Sequence, residues 1–258
     1  MLTSRASSWR AGRILVTLAV LSLMIGPSVP APSARASTTP GDTVRFAFDG
    51  RSPLTDVTGH GHDLSPVSRH GGSFTTVAHD GGGAIAFPPP CHAEPCPRIA
   101  LRAATADDLN PGRRPFRYGA AVRLAADETT KGENVLQKGY SARRSQYKLQ
   151  IDGAAGDPTC VLVDDVRPQI NVARSDVSVA DGHWHTLECR RSGPRLVILV
   201  DGVQRGSATV PADLTIHNQI PLSVGGKGSY TDNDQFQGVL DDVWVRIDSP
   251  PLSPSRGP

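Results

Sequence analysis

Along most of the chain apolar and polar residues alternate with a period of two, the spacing that sends successive side chains to opposite faces of an extended strand. In Tyr118–Leu124, residues Tyr118, Ala120, Val122 and Leu124 share one face and Arg123 takes the other. Gln146–Ile151 repeats the pattern with Tyr147, Leu149 and Ile151 inward. Trp184–Arg191 and Arg195–Val200 flank Ser192-Gly193-Pro194, which turns a strand and cannot continue one, so the pair reads as a hairpin. Asp201-Gly202 turns the chain again into Val203–Ser207, because both residues tolerate a positive φ. The last strand, Gly238–Ile247, carries Val243, Val245 and Ile247 on one face and Trp244 with Arg246 on the other.

Helical periodicity is almost absent; only Ala103–Pro115 is read as holding a brief turn of helix. The 26 glycines and 22 prolines are spread along the chain and mark no internal linker. Many short strands at close spacing predict one all-β domain, an antiparallel sandwich or barrel, from about Asp42 to Asp248.

The ends change this picture. Arg5, Arg10 and Arg13 precede an apolar run from Ile14 to Ile25 that is too short to span a bilayer. Ala34-Arg35-Ala36 follows as a cleavage site, so residues 1–36 read as a secretory signal and the mature chain starts near Ser37. The domain then covers 37–248, and 249–258 forms a Pro-rich tail with no second apolar span. Residues 1–36 hold four basic residues and no acid, which leaves 23 basic against 25 acidic residues, a net charge of about −2. That balance offers no basic footprint for nucleic acid. An exported chain, released or held at the cell wall, is the expectation, with an extracellular glycan or protein as partner and no membrane span.

Four cysteines in an exported chain are expected to be oxidised, and four allow three pairings. Cys91 and Cys96 lie five apart around Pro95, which turns the chain, so they are paired with each other, and Cys160 with Cys189. A zinc site would need these thiolates in a reducing setting, which export disfavours.

Three segments carry a family resemblance. They are Phe46-Ala47-Phe48-Asp49-Gly50 with the loop Asp56–Leu64, then Gly182–Arg191 with Leu196–Gly202, and finally Phe236–Val245. In order and spacing they resemble the laminin-G-like jelly rolls of the concanavalin A-like lectin and glucanase superfamily, of the type found in exported actinobacterial proteins. The resemblance reaches across nearly all of the mature chain and implies two antiparallel sheets. Trp184 and Trp244 are read as core residues in preference to a ligand-stacking platform.

The same superfamily hosts glycoside hydrolases, whose familiar members place their carboxylates in an E-x-D-x-x-E strand. This chain has only Glu94, Glu128, Glu133 and Glu188, and none lies in that pattern. Asp241 and Asp242 are expected on opposite faces of a strand and so not to act together. No nucleophile elbow or phosphate-binding glycine loop occurs; Gly71-Gly72 and Gly81-Gly82-Gly83 read as hinges. No catalytic residue is therefore assigned.

His60 with His62, and His183 with His185, stand two apart, the spacing of a transition-metal pair but more often of surface residues. Tyr118 and Tyr140 offer rings to a sugar, although Tyr118 sits in the core pattern. Aspartate outnumbers glutamate by 21 to 4, which favours calcium among metals. The resemblance implies a calcium site at Asp49, Asp56 and Asp241, and Asp232 with Asp234 forms a second candidate; the alternative is that these are caps, turn residues or solvated charges. Two functional readings remain, a binding module acting through loops at one end of the sandwich and an aspartate-dependent glycosidase using the concave sheet. A spacer without a tight ligand is the third.

Overall fold

The structure is a computed structural model that describes residues 41–104, 107–129 and 131–249. The expected signal (1–36) lies outside the described residues, as does all of the tail but Ser249. The first sheet contains β3 (Thr75–His79), β4 (Gly82–Ala86), β6 (Phe116–Arg123), β11 (Trp184–Ser192), β12 (Arg195–Val200), β13 (Val203–Thr209) and β15 (Val239–Ile247), in the order β13-β12-β11-β6-β15-β4-β3. β1 (Val44–Phe46) also pairs with β15. The second sheet contains β2 (Ser65–Arg69), β5 (Arg98–Arg102), β7 (Gly132–Gly139), β8 (Gln146–Asp152), β9 (Asp157–Val163), β10 (Ile170–Arg174) and β14 (Leu222–Val224), in the order β10-β9-β8-β7-β14-β5-β2. Every pairing is antiparallel, and the whole is the two-sheet sandwich that the alternating pattern predicts.

Alternation decides which residues meet between the sheets. Tyr118 and Val122 from β6, Leu187 and Cys189 from β11, and Tyr147, Leu149 and Ile151 from β8 are buried in one apolar cluster. Tyr118 and Tyr147 face each other across the gap with ring centroids 5.2 Å apart, and Phe116 packs on both. Cys160 of β9 joins Cys189 of β11, so this disulfide ties one sheet to the other, while Cys91–Cys96 closes a short loop.

Two fully buried cations interrupt the apolar interior. The Arg191 guanidinium donates to the carbonyls of Arg113, Arg114, Ala212 and Leu214. The Lys138 ammonium donates to the carbonyls of Asn218 and Ile220, and burial pushes its pKa down to about 8. Both tie loops at the margin of the sandwich to its strands, and satisfied carbonyl partners are what make such burial tolerable.

Helix is confined among the described residues to one 3-10 turn at Ser141–Arg143. The described part of 103–115, expected to hold a helical turn, forms two separate hydrogen-bonded turns instead, Asp107–Asn110 and Pro111–Arg114; Pro111 and Pro115 restrict the residues before them. The edge strands β10 and β13 lie against each other across the sandwich: the Asp176 N–H donates to the Arg205 carbonyl, and a Cβ on Gly206 would come within 1.9 Å of the Arg174 carbonyl oxygen.

Replacing Cys160 and Cys189 together by alanine removes a link that closes 29 residues. The expected loss is about 3 to 4 kcal/mol of unfolding free energy if chain entropy dominates, read as a lower urea midpoint under non-reducing conditions. A midpoint that does not move would show that the sheets hold together without the bridge.

Candidate functional site

On the outer face of the second sheet the alternate residues form three rows across β8, β9 and β10. Gln146 lies beside Val163 and Ile170, Lys148 beside Val161 and Val172, and Gln150 beside Thr159 and Arg174. Their inward neighbours are the core residues Tyr147, Leu149, Cys160, Leu162 and Ala173, so the packing that seals the interior also fixes this outward array.

One wall of the array comes from the segment between β14 and β15. The Asn134 N–H donates to the Asp234 carbonyl, the Lys227 N–H to the Asn233 carbonyl, and the Asn233 amide to the Gly228 carbonyl. These bonds set Lys227, Tyr230 and Asp232 along the sheet. At one end stands Tyr140, entering the 3-10 turn. Its hydroxyl donates to the Lys227 carbonyl at 2.8 Å, and the Tyr230 ring lines the same groove. Burial, with a smaller contribution from the neighbouring Tyr140 hydroxyl, pushes the Tyr230 phenol well above its ordinary pKa, so it stays neutral. The resulting groove has a volume of about 470 Å³. Tyr140 and Tyr230 also border an adjoining hollow of about 430 Å³ lined by Arg102, Ile220 and Pro221.

Charges in the groove are paired. Lys148 and Lys227 share the Asp234 carboxylate at 2.9 and 2.6 Å, Arg174 meets Asp152 at 3.4 Å, and Asp232 pairs with Lys131. Burial lowers the Lys148 pKa, and Asp234 offsets part of that fall. Ile170, Val172 and Tyr230 are among the few large hydrophobic side chains exposed to solvent. The groove therefore combines amides, neutralised ions, aliphatic patches and two tyrosine rings. Such a surface suits a ligand with polar rims and apolar faces.

A laminin-G-type family model described as the concanavalin A-like lectin/glucanases superfamily matches residues 110–250. The chain belongs to this superfamily. Among solved structures, this superfamily member is similar to domain 4 of AbnA, a GH43 extracellular arabinanase from Geobacillus stearothermophilus solved in complex with arabinotriose. The likeness has a TM-score of 0.63 and 16% identity over 80% of this chain and 92% of that one. It is also similar to the binding domain of Paraclostridial Mosquitocidal Protein 1 (TM-score 0.58, 11% identity, 76% of this chain and 46% of that one). The binding domain of botulinum neurotoxin serotype D gives a TM-score of 0.58 and 10% identity over 82% of this chain and 48% of that one. The chain spans about half the length of these two toxin structures. No curated protein matches it significantly.

The aspartates proposed for calcium in this superfamily member are held in separate partnerships. Asp49 accepts the Gly83 N–H at 2.7 Å. Asp56 accepts from the backbone of Arg45, Thr58 and His62 and from the Thr58 hydroxyl; burial opposes its ionisation, but these bonds together hold its pKa below the ordinary value. Asp241 meets His79 at 2.6 Å. Asp232 and Asp234 face lysines, whose charge opposes a cation. Among the described residues no three His, Cys, Asp or Glu side chains gather into a metal-binding set.

The histidine pairs behave differently: His60 and His62 diverge, whereas His183 and His185 both reach the Asp181 carboxylate, at 3.4 and 3.2 Å. His60 meets the Thr43 carbonyl while His62 is buried against Asp108. His185 lies between Asp201 and Asp181; burial lowers its pKa, but the two carboxylates outweigh it and raise it. Tyr118 is fully buried, as its alternation implies.

Two expectations require correction. Trp184 and Trp244 are not core residues: both are half-buried on the outer face of the first sheet, opposite Arg123 and Gly119. Parity along β11 and β15, set by the buried Leu187, Val243 and Val245, outranks their size. Asp241 and Asp242 do not alternate cleanly, because a bulge between Asp241 and Trp244 places Asp242 at φ 47°. Asp241 reaches His79 while Asp242 reaches Arg45 at 2.7 Å, and the Asp242 N–H donates to the Asp241 carboxylate.

Burial, with a smaller contribution from the Asp242 charge, raises the Asp241 pKa to about 6 against an ordinary value of 3.8. The folded chain then binds more protons than the unfolded chain between those values, so stability falls as pH rises from about 4 to 6. The expected fall is up to about 3 kcal/mol, measured by urea denaturation across that window, and Asp241→Asn should flatten it. An unchanged slope in the variant would assign it to other groups. Millimolar calcium is expected to leave the melting temperature unmoved; a rise abolished by Asp234→Asn would reinstate that carboxylate as a ligand.

Proposed function

We propose that this protein is an exported, non-catalytic module that binds a carbohydrate chain in the groove across β8, β9 and β10. The observation that carries the reading is the two rings of Tyr140 and Tyr230, the first held by its hydroxyl bond to the Lys227 carbonyl, beside a floor of amides and short aliphatic side chains. Sugars present apolar C–H faces and hydroxyl rims, and a pre-ordered ring with fixed donors and acceptors meets both at little entropic cost. The open groove suits an extended chain better than a small buried ligand. Arabinotriose bound by the similar arabinanase domain supports carbohydrate over protein as the ligand. Export is supported by two disulfides and by the signal-like first 36 residues. Association with the cell wall accords with a polysaccharide ligand.

The hydrolase reading is weaker on the chemistry of the groove. Glycoside cleavage needs a protonated carboxylic acid beside a second carboxylate. Asp152, Asp232 and Asp234 are each paired with a cation, and Asp241, the acid with the raised pKa, lies on the other sheet.

Calorimetric titration with soluble polysaccharides tests the reading, with reducing-sugar release as a control that should stay at background. Tyr230→Ala should weaken binding by about tenfold, the contribution of a stacked ring in a dry contact, whereas Tyr230→Phe should retain most of the affinity. Equal binding by wild type and the alanine variant would place the ligand elsewhere.

A further inference from the structure

The outer face of the first sheet carries a feature that the groove does not explain. Large side chains are expected there only as cover, yet Trp244 borders an open recess of about 220 Å³ with Thr186, Glu188, Asp242 and Arg45. The floor is made of small residues. Ala121 lines the recess, and a Cβ on Gly119 would come within 3.1 to 3.2 Å of the Trp244 ring, so the indole lies over bare backbone there. Trp184 differs: His79 stacks on it at 3.7 Å and the Arg123 guanidinium lies 5.5 Å from its centroid. Trp244, by contrast, lines a hollow of the size of one small ring.

The charges around this hollow are already matched within the fold. Arg45 bonds Asp242 at 2.7 Å and lies 3.4 Å from Asp42, and Glu188 accepts from Arg190 at 2.8 and 3.0 Å. An ionic ligand would have to break these pairs. A neutral ligand with several hydroxyls can instead use the remaining lone pairs and N–H groups, and place its apolar face on the indole.

We propose that this recess is a second carbohydrate-binding site, taking one neutral sugar ring against Trp244. The choice of sugar rests on the reading of the groove, but the recess stands on its own residues. Because the two sites lie on the outer faces of opposite sheets, the module binds two chains at once.

The positions of the indoles give this site its own signal. The sequence contains only Trp9, Trp184 and Trp244, and the groove contains none of them. In full-length protein carrying Trp9→Phe and Trp184→Phe, all tryptophan emission therefore reports Trp244. Arabinotriose, xylotriose, cellotriose and maltotriose are titrated while emission and heat are followed together.

At least one of the four should shift or quench the Trp244 emission, and the effect should persist with unchanged midpoint in Tyr230→Ala. Thr186→Phe, which fills the recess and leaves Trp244 over Gly119, should weaken it by about tenfold or more; this variant avoids the loss of cover that Trp244→Ala would bring. An emission change that disappears in Tyr230→Ala would overturn the proposal, since the signal would then belong to the groove. Silence at Trp244 with all four sugars would overturn it too. Heat that remains in that case, and is lost in Tyr230→Ala, would leave the groove reading intact. An emission change without any contribution from Tyr230 would establish the recess and reject the groove.

Discussion

Two sheets can seal an interior only if alternate residues of every central strand are apolar, and this parity governs the whole molecule. It is enforced most tightly where β6 and β11 meet β8 and β9: Phe116, Tyr118 and Tyr147 fill the gap, and Cys160–Cys189 fixes the two layers at that point. Once those residues are inside, their neighbours have no choice but to face outward. The amide and lysine rows of the groove, and the indoles on the opposite surface, follow from the same rule.

Much of this was legible in the sequence. The alternation in Tyr118–Leu124 and Gln146–Ile151 identified the strands and the buried tyrosines, and the short Cys91–Cys96 segment left one partner for Cys160. Trp184 and Trp244 were misread because size was weighed above parity, even though Val243 and Val245 already assigned Trp244 to the other face. Asp242 could not be placed, since a bulge changes the count of residues without leaving a mark in a period-two pattern.

The groove was legible in part. Its floor lies in the outward positions Gln146, Lys148 and Gln150, long polar side chains that nothing in the sequence marks as covered, though Gln146 and Lys148 are buried. Its wall was hidden: Lys227, Tyr230 and Asp232 reach the sheet through backbone bonds to Asn134 and within the segment itself, and no side-chain pattern reports such bonds. Tyr140 was singled out as a ring for sugar, but its partner Tyr230 is ninety residues away. Arg191 and Lys138 were missed for a related reason, because a charge buried against carbonyl oxygens looks like any surface charge in one dimension.

The contact between β10 and β13 matters beyond architecture. A sandwich normally leaves four strand margins whose unpaired amides can recruit a neighbouring molecule into a continuous ribbon. Here two of those margins are folded toward each other, with Gly206 allowing main chain to meet main chain and Asp176 occupying the Arg205 carbonyl. That side of the molecule has little to offer an intruding strand. Growth of either sheet by strand addition is left to the opposite margins, β2 and β3.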